Sequence, residues 1–244
     1  MLIVTFSGVD GCGKSTQVER TAQYLADQGL RVRKVAALRW SVAGIHARIR
    51  DAHRLRRRRK ARRAQAARGA DTGAAPAQSE AAAPTVHAYA HGRSFDADRR
   101  TLAVRIRRHL IYPLDCVMLA VCVTVHWLTG CTALVFDRYT FDKMVGLPNP
   151  DCRLSRLLVR IAPRPTHSFF IDTPPEIARA RRPEHTADYH PHKSAGYRAL
   201  AALDMGLTAV PPGSIEDVQQ RVRQVLTAGD SRRGSCAAPR PAGA

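Results

Sequence analysis

The sequence predicts an α/β fold: a three-layer sandwich in which a five-stranded parallel sheet is covered by helices on both faces. Three observations predict it. Short apolar runs alternate along the chain with longer segments of helical spacing, the order that builds parallel sheets. The first run empties into a glycine-rich loop that opens a helix. The length of 244 residues suits one domain that buries a full core without disulfide help.

Taken in order, the first strand is residues 2–7, where Leu2, Ile3, Val4, Thr5 and Phe6 precede the turn. Gly8-Val9-Asp10-Gly11-Cys12-Gly13-Lys14-Ser15 follows at once, and Gln17 to Leu25 continue with helical spacing, so a helix is expected over 15–28, ended by Gly29. A strand is expected over 32–38 and an amphipathic helix over 96–110. The apolar stretch from Val117 to Phe136 is long enough to raise a membrane span. Pro113, Asp115 and Gly130 instead split it into a buried helix over 113–129 and a strand over 131–136. Strands over 167–171 and 207–210 complete the sheet. The helix over 174–182 takes Asp172 or Thr173 as its cap and prolines in its first turn, and the last helix, over 215–226, is capped by Ser214.

Two stretches fall outside this core. Residues 65–84 are rich in Ala, Gly, Pro and Ser, with too little apolar surface to offset the entropy of ordering. They belong to an expected mobile insertion over about 51–93. The tail over 228–244 has a similar composition. The expected organisation is therefore one domain over 1–227, carrying the basic, Ala-rich insertion, and a disordered tail.

The net charge of +19 is concentrated in residues 48–68, where Arg48, Arg50, Arg54, Arg56, Arg57, Arg58, Arg59, Lys60, Arg62, Arg63 and Arg68 face Asp51 alone. Such a block grips nucleic-acid phosphates or forms a solvated basic face. It contains no aromatic residue to stack on bases, which favours the second reading. Cys12, Cys116, Cys122, Cys131, Cys152 and Cys236 are scattered, with no metal-ligand spacing, as in a reducing compartment. Cys12, inside the loop, is either oxidation-sensitive or simply a small residue that fits there. Met1 leads directly into the strand, so no secretory signal is read and a cytoplasmic location is expected.

The loop carries the chemistry. In G-x-x-x-x-G-K-[ST], glycines let successive backbone amides turn inward around phosphate oxygens, and the helix that follows faces the same anion with its positive end. This predicts a P-loop NTPase fold, with Gly8, Asp10, Gly11, Cys12, Gly13, Lys14, Ser15 and Thr16 around the nucleotide. Lys14 reaches the β- and γ-phosphates of ATP, and the Ser15 hydroxyl holds Mg²⁺. No Asn-Lys-x-Asp guanine reader is present.

Four segments, in order, resemble the thymidylate kinase family of nucleoside monophosphate kinases: the loop continuing as Lys14-Ser15-Thr16-Gln17; Phe136-Asp137-Arg138-Tyr139; Phe170 to Ala178 with its acidic residue and double proline; and the stretch from Tyr189 to Tyr197. The resemblance covers most of the chain outside residues 45–95 and the tail. It implies that Asp137 binds Mg²⁺ through water, that Arg138 and Arg39 clamp the acceptor phosphate, and that Asp10 meets a sugar 3′-hydroxyl. Family members with glycine at the position of Gly11 supply basic residues from the lid, which here means Arg179, Arg181 or Arg182. It implies a homodimer as well.

Departures weaken the thymine assignment. The family's Thr-Arg-Glu-Pro-Gly-Gly stretch is replaced by Leu38-Arg39-Trp40-Ser41-Val42-Ala43-Gly44. The base-stacking aromatic falls near Tyr112, and the thymine-reading arginine falls near Cys116, which cannot donate as a guanidinium does. The expected activity is ATP- and Mg²⁺-dependent phosphorylation of a nucleoside monophosphate, dTMP first among candidates, with nucleotides as substrates and no membrane partner. Two alternatives stand: the same kinase fold with another small-molecule acceptor, and a non-catalytic nucleotide-binding module whose basic segment contacts nucleic acid.

Overall fold

The computed structural model describes residues 1–42, 44–45, 106–147, 149, 151–183, 185, 188–203 and 205–234. Five strands, β1 (Leu2–Ser7), β2 (Val32–Ala36), β3 (Ala133–Asp137), β4 (His167–Ile171) and β5 (Thr208–Val210), form one parallel sheet in the order β2-β3-β1-β4-β5. Burial explains that order. β1, β3 and β4 are buried almost throughout, as strands covered on both faces must be, whereas β2 and β5 leave most positions exposed and stand at the edges. Arg33 and Lys34 keep the β2 edge charged, which discourages further strand pairing. The three-layer α/β expectation holds.

Helices connect the strands: α1 (Lys14–Asp27), α2 (Tyr112–Leu128), α3 (Phe141–Met144), α4 (Arg153–Ile161), α5 (Pro175–Arg181), α6 (Tyr189–Ala202) and α7 (Ile215–Gly234). Phe6, Leu134, Phe136, Phe169 and Phe170 are fully buried, and Phe6 stacks on Phe169 with ring centroids 5.4 Å apart. Phe170 stacks on Tyr197 of α6, which ties that helix to the sheet.

Several boundaries differ from expectation. β2 stops at Ala36 and a 3₁₀ turn, Ala37–Trp40, replaces its predicted end. Ser41 closes that turn by donating its amide and its hydroxyl to the Leu38 carbonyl, local bonds that compete with the sheet ladder. Helices α3 and α4 have no counterpart among the elements expected from sequence. α4 lies among prolines, and its Leu154, Leu157, Leu158 and Ile161 repeat at three- and four-residue intervals that betray it on a closer count. α7 runs through Gly234 rather than stopping at Leu226, because a nucleated helix extends cheaply where no proline intervenes. Residues 228–234 are thus helical, in place of the first part of the expected tail.

The expected buried helix is buried on one stripe only. In α2, Asp115, Cys116, Leu119 and Cys122 face inward, while Leu114, Val117, Val121, Val125 and Leu128 are exposed. Among the described residues, the segment Arg108–Leu128 is long and apolar enough to cross a membrane by length and composition. A π-helical turn, Arg107–Ile111, leads directly into α2, so the break expected before Pro113 is absent and the proline lies within a continuous helical segment. The basic block 48–68, the insertion about 51–93, residues 96–105 of the expected helix and residues 235–244 lie outside the described residues.

Candidate active site at the carboxyl edge of the sheet

β1, β3 and β4 all end at one edge, where ligands sit in parallel α/β sheets, and the loop 8–13 leaves β1 there. Gly8, Gly11 and Gly13 all have positive φ. At Gly11 the need is also steric: a Cβ would lie 2.5 Å from the Ala178 carbonyl oxygen of α5, so only glycine lets α5 pack on the loop. The Thr173 hydroxyl donates to the Cys12 carbonyl at 3.2 Å, a second clip between the loop and the segment after β4.

Lys14 is 6% exposed, and its ammonium donates to the carbonyls of Gly8 at 2.9 Å and Val9. These dipoles, with Asp10 Oδ1 at 4.0 Å, stabilise a charge held inside the ring of the loop. Cys12 packs beside it, its sulfur 3.7 Å from Lys14 Nζ. The amides of the first turn of α1, Lys14, Ser15 and Thr16 among them, have no acceptor within the helix and present a positive end to an anion.

Ser15 Oγ donates to Asp137 Oδ2 at 3.1 Å, so the end of β3 and the start of α1 converge. Asp137 Oδ1 is buried with no hydrogen-bond partner. An orphaned carboxylate oxygen beside a hydroxyl is the donor set that magnesium takes when phosphates and water fill the remaining positions. The residues therefore fit the ion, and among the described residues no cluster of three or more His, Cys, Asp or Glu competes for it.

Arg138 is the one non-glycine described residue with positive φ, 67°. Such a conformation costs about 1–3 kcal/mol and persists only where neighbours over-determine it. Here two carboxylates do: Asp142 Oδ1 accepts from Arg138 at 2.8 Å, and Asp10 Oδ1 accepts from its other terminal nitrogen. Burial opposes the guanidinium charge, but Asp142 and Asp10 outweigh it and raise the pKa above the ordinary arginine value. Burial likewise opposes the Asp10 carboxylate, and Arg138, Lys14, Tyr189 and His185 together hold its pKa below the usual range.

Sequence reading missed the residues that build this frame. Asp142 also accepts from Ser7 Oγ at 3.0 Å, the Tyr139 amide at 3.2 Å and the Tyr197 hydroxyl at 2.8 Å, which joins β1, β3 and α6 at a single carboxylate. The Tyr189 hydroxyl donates to Asp10 Oδ2 at 3.0 Å, His185 Nε2 lies 3.3 Å from the same oxygen and stacks on Tyr189, and His190 Nε2 lies 3.1 Å from the Asp10 carbonyl. Tyr189 and Tyr197 stand in a stretch already singled out for its resemblance. Asp142 gave no sequence signal beyond lying four residues after Arg138.

The arginines expected in a lid, Arg179, Arg181 and Arg182, are all exposed, and Arg181 donates to the Gly11 carbonyl at 3.3 Å. Arg182 packs its side chain close to Gly11. Arg39 lines an open groove of about 330 Å³ on the β2 edge, with Lys34, Trp40 and His126. Trp40 meets His126 edge to face there. Tyr112 is half-buried at the start of α2, with the Lys143 ammonium 5.9 Å from its ring centroid, and Cys116 is fully buried.

No family model matches the chain, and no curated protein matches it by sequence. Among solved structures, the crystal structure of thymidylate kinase from Ehrlichia chaffeensis superposes with a TM-score of 0.55 over 92% of this chain and 98% of that one, at 14% identity. The chain therefore has a thymidylate kinase-like fold.

Proposed function

We propose that this chain is an ATP- and magnesium-dependent kinase that transfers the γ-phosphoryl group of ATP to the phosphate of a nucleoside monophosphate, with dTMP as the leading acceptor. The observation that carries this reading is the convergence of Ser15, the orphaned Asp137 oxygen and the amide-lined loop on one side, with Arg138 reached through Asp10 on the other. In the reaction the bond from the γ-phosphorus to the β,γ-bridging oxygen breaks, an acceptor phosphate oxygen bonds to that phosphorus, and ADP leaves.

Ser15 and Asp137 would hold the magnesium ion, which when bound neutralises charge on the β- and γ-phosphate oxygens. Lys14 leaves the loop carbonyls for the γ-phosphate. Arg138 exchanges a carboxylate partner for the acceptor phosphate, and Arg181, already on the loop, adds positive charge as the lid closes. Asp10, freed from Arg138, accepts from a sugar hydroxyl. The catalytic contribution lies in placement and fixed charge. Free thiols at Cys12, Cys116, Cys122, Cys131 and Cys152 fit the reducing cytoplasm expected for such an enzyme.

A panel of nucleoside monophosphates assayed for ADP release with ATP and Mg²⁺ tests the reading. Turnover of dTMP, lost on chelation of magnesium, is the expected result. ATP binding with no turnover of any nucleotide would leave another acceptor or a non-catalytic role.

The exposed stripe Leu114, Val117, Val121 and Val125 supports the homodimer that the resemblance implies, since an apolar face of this length is unusual on a monomer. Sedimentation equilibrium is expected to give a dimer that Val121→Glu converts to monomer. A monomeric wild type at micromolar concentration rejects it.

A further inference from the structure

The two carboxylates that hold Arg138 differ in how firmly they are held themselves. Asp142, 10% exposed, lies in the first turn of α3, which Phe141 and Met144 anchor in the core. Four donors converge on it from β1, from the turn after β3 and from α6. Its Oδ1 accepts from Arg138 and from the Tyr197 hydroxyl, each at 2.8 Å, and its Oδ2 accepts from the Ser7 hydroxyl at 3.0 Å and the Tyr139 amide at 3.2 Å. Tyr139 is pinned in turn, its hydroxyl donating to the Pro163 carbonyl at 2.6 Å. Asp10, by contrast, is 28% exposed and sits in the loop 8–13.

A carboxylate is the group that this position demands. Ser7 and Tyr197 carry hydroxyls, which can turn and accept, but a backbone amide and a guanidinium can only donate. Those two obligatory donors, Tyr139 and Arg138, fall on opposite oxygens of Asp142. Asparagine has one oxygen and one amide nitrogen, so it satisfies the Tyr139 amide only by turning its NH2 group toward Arg138, donor against donor. The second oxygen therefore serves the guanidinium. It also helps to hold Arg138 at its φ of 67°, a conformation that neighbours must impose. Because a guanidinium is a rigid planar fork, fixing one terminal nitrogen sets the direction of the other. That other nitrogen is the one on Asp10.

Resting on the kinase reading above, we infer that Asp142 is the positioning residue of the phosphate clamp: it keeps one terminal nitrogen of Arg138 throughout the cycle, while the other passes from Asp10 to the acceptor phosphate. The two carboxylates then act with opposite sign. Asp142 aims the guanidinium, and Asp10 competes with the phosphate for it. Asp142 itself touches none of the reacting atoms.

The test reads the ratio of the Kd for thymidine to the Kd for dTMP, by calorimetry without ATP; the two ligands differ only in the phosphate, so contacts to sugar and base cancel. Wild type is expected to bind dTMP about 30-fold more tightly, the scale of charge-assisted bonds to one phosphate. Asp142→Asn should cut that ratio about tenfold and raise the acceptor KM alike, with the KM for ATP changed less than about threefold. Asp10→Asn should raise the ratio about threefold or more, since a competitor for Arg138 is gone. Ser7→Ala and Tyr197→Phe remove bracing bonds but leave the Arg138 bond, so they should lower the melting temperature and keep the ratio within about threefold of wild type. In an Arg138→Ala background, Asp142→Asn should change the ratio no further. An unchanged ratio in folded Asp142→Asn, or an equal fall in Tyr197→Phe, makes Asp142 a structural brace and overturns the inference. If Asp142→Asn does not fold, the Asp10→Asn ratio decides: a rise supports Asp142 as the lasting anchor of Arg138, and a fall or no change overturns it. If wild type turns over no nucleotide while the ratios behave as expected, the kinase reading fails and the clamp stands. dTMP bound no more tightly than thymidine, or neither bound, overturns the clamp whatever the turnover.

Discussion

Lys14→Ala is expected to lower phosphoryl transfer by about 10³-fold at saturating ATP and acceptor, the scale set by losing a preorganised donor to the transferring group. Stability should move far less. The ammonium is buried and satisfies the Gly8 and Val9 carbonyls, so its removal leaves two loop acceptors short, at a cost of about 1–3 kcal/mol. Against that stands the relief of a desolvated charge whose nearest carboxylate oxygen, on Asp10, is 4.0 Å away. ADP release and a thermal melt on the same preparation separate the two effects. A folded variant that turns over dTMP at the wild-type rate would remove the loop from the mechanism, and with it the proposed activity.

Arg138→Ala should damage both fold and acceptor binding. The side chains of Arg138, Asp10 and Asp142 are 23%, 28% and 10% exposed, so deleting the guanidinium removes the cation that two partly buried carboxylates share, while their other hydrogen-bond donors remain. Breaking a pair of this kind costs about 3–5 kcal/mol when buried, and the residual solvent contact argues for the lower end, about 3 kcal/mol. Adding Asp142→Asn to the variant should restore part of the loss, because one unpaired charge is gone. In the assay, losing charge-assisted bonds worth about 3 kcal/mol in total raises acceptor KM about 100-fold, with the KM for ATP nearly unchanged. An acceptor KM that stays at its wild-type value in a folded variant rules Arg138 out as the phosphate clamp.

The local geometry of the glycine loop was legible residue by residue. Gly8 to Thr16 are contiguous, and their geometry is local: positive φ at Gly8, Gly11 and Gly13 and the start of α1 at Lys14. Asp137 and Arg138 could be placed because they end an apolar run. The acceptor half was legible only in outline. Arg39 was expected on the acceptor phosphate, and β2 turns into a 3₁₀ segment that sets it in an open groove with Lys34, Trp40 and His126. Asp142, His185 and Tyr189 matter through partners 55 to 179 residues away along the chain, and no periodicity marks such pairs.

Apolar patterning and the glycine loop sufficed to determine the α/β class, all five strands and the turn from β1 into α1, because these depend on residues that are neighbours in sequence. Which basic groups are free to meet a ligand was decided in three dimensions. Burial removes Cys116 from the surface and surrounds Arg138 with two carboxylates. Charge and desolvation act through space at a few ångströms, so a group's chemistry depends on neighbours that only the folded chain supplies.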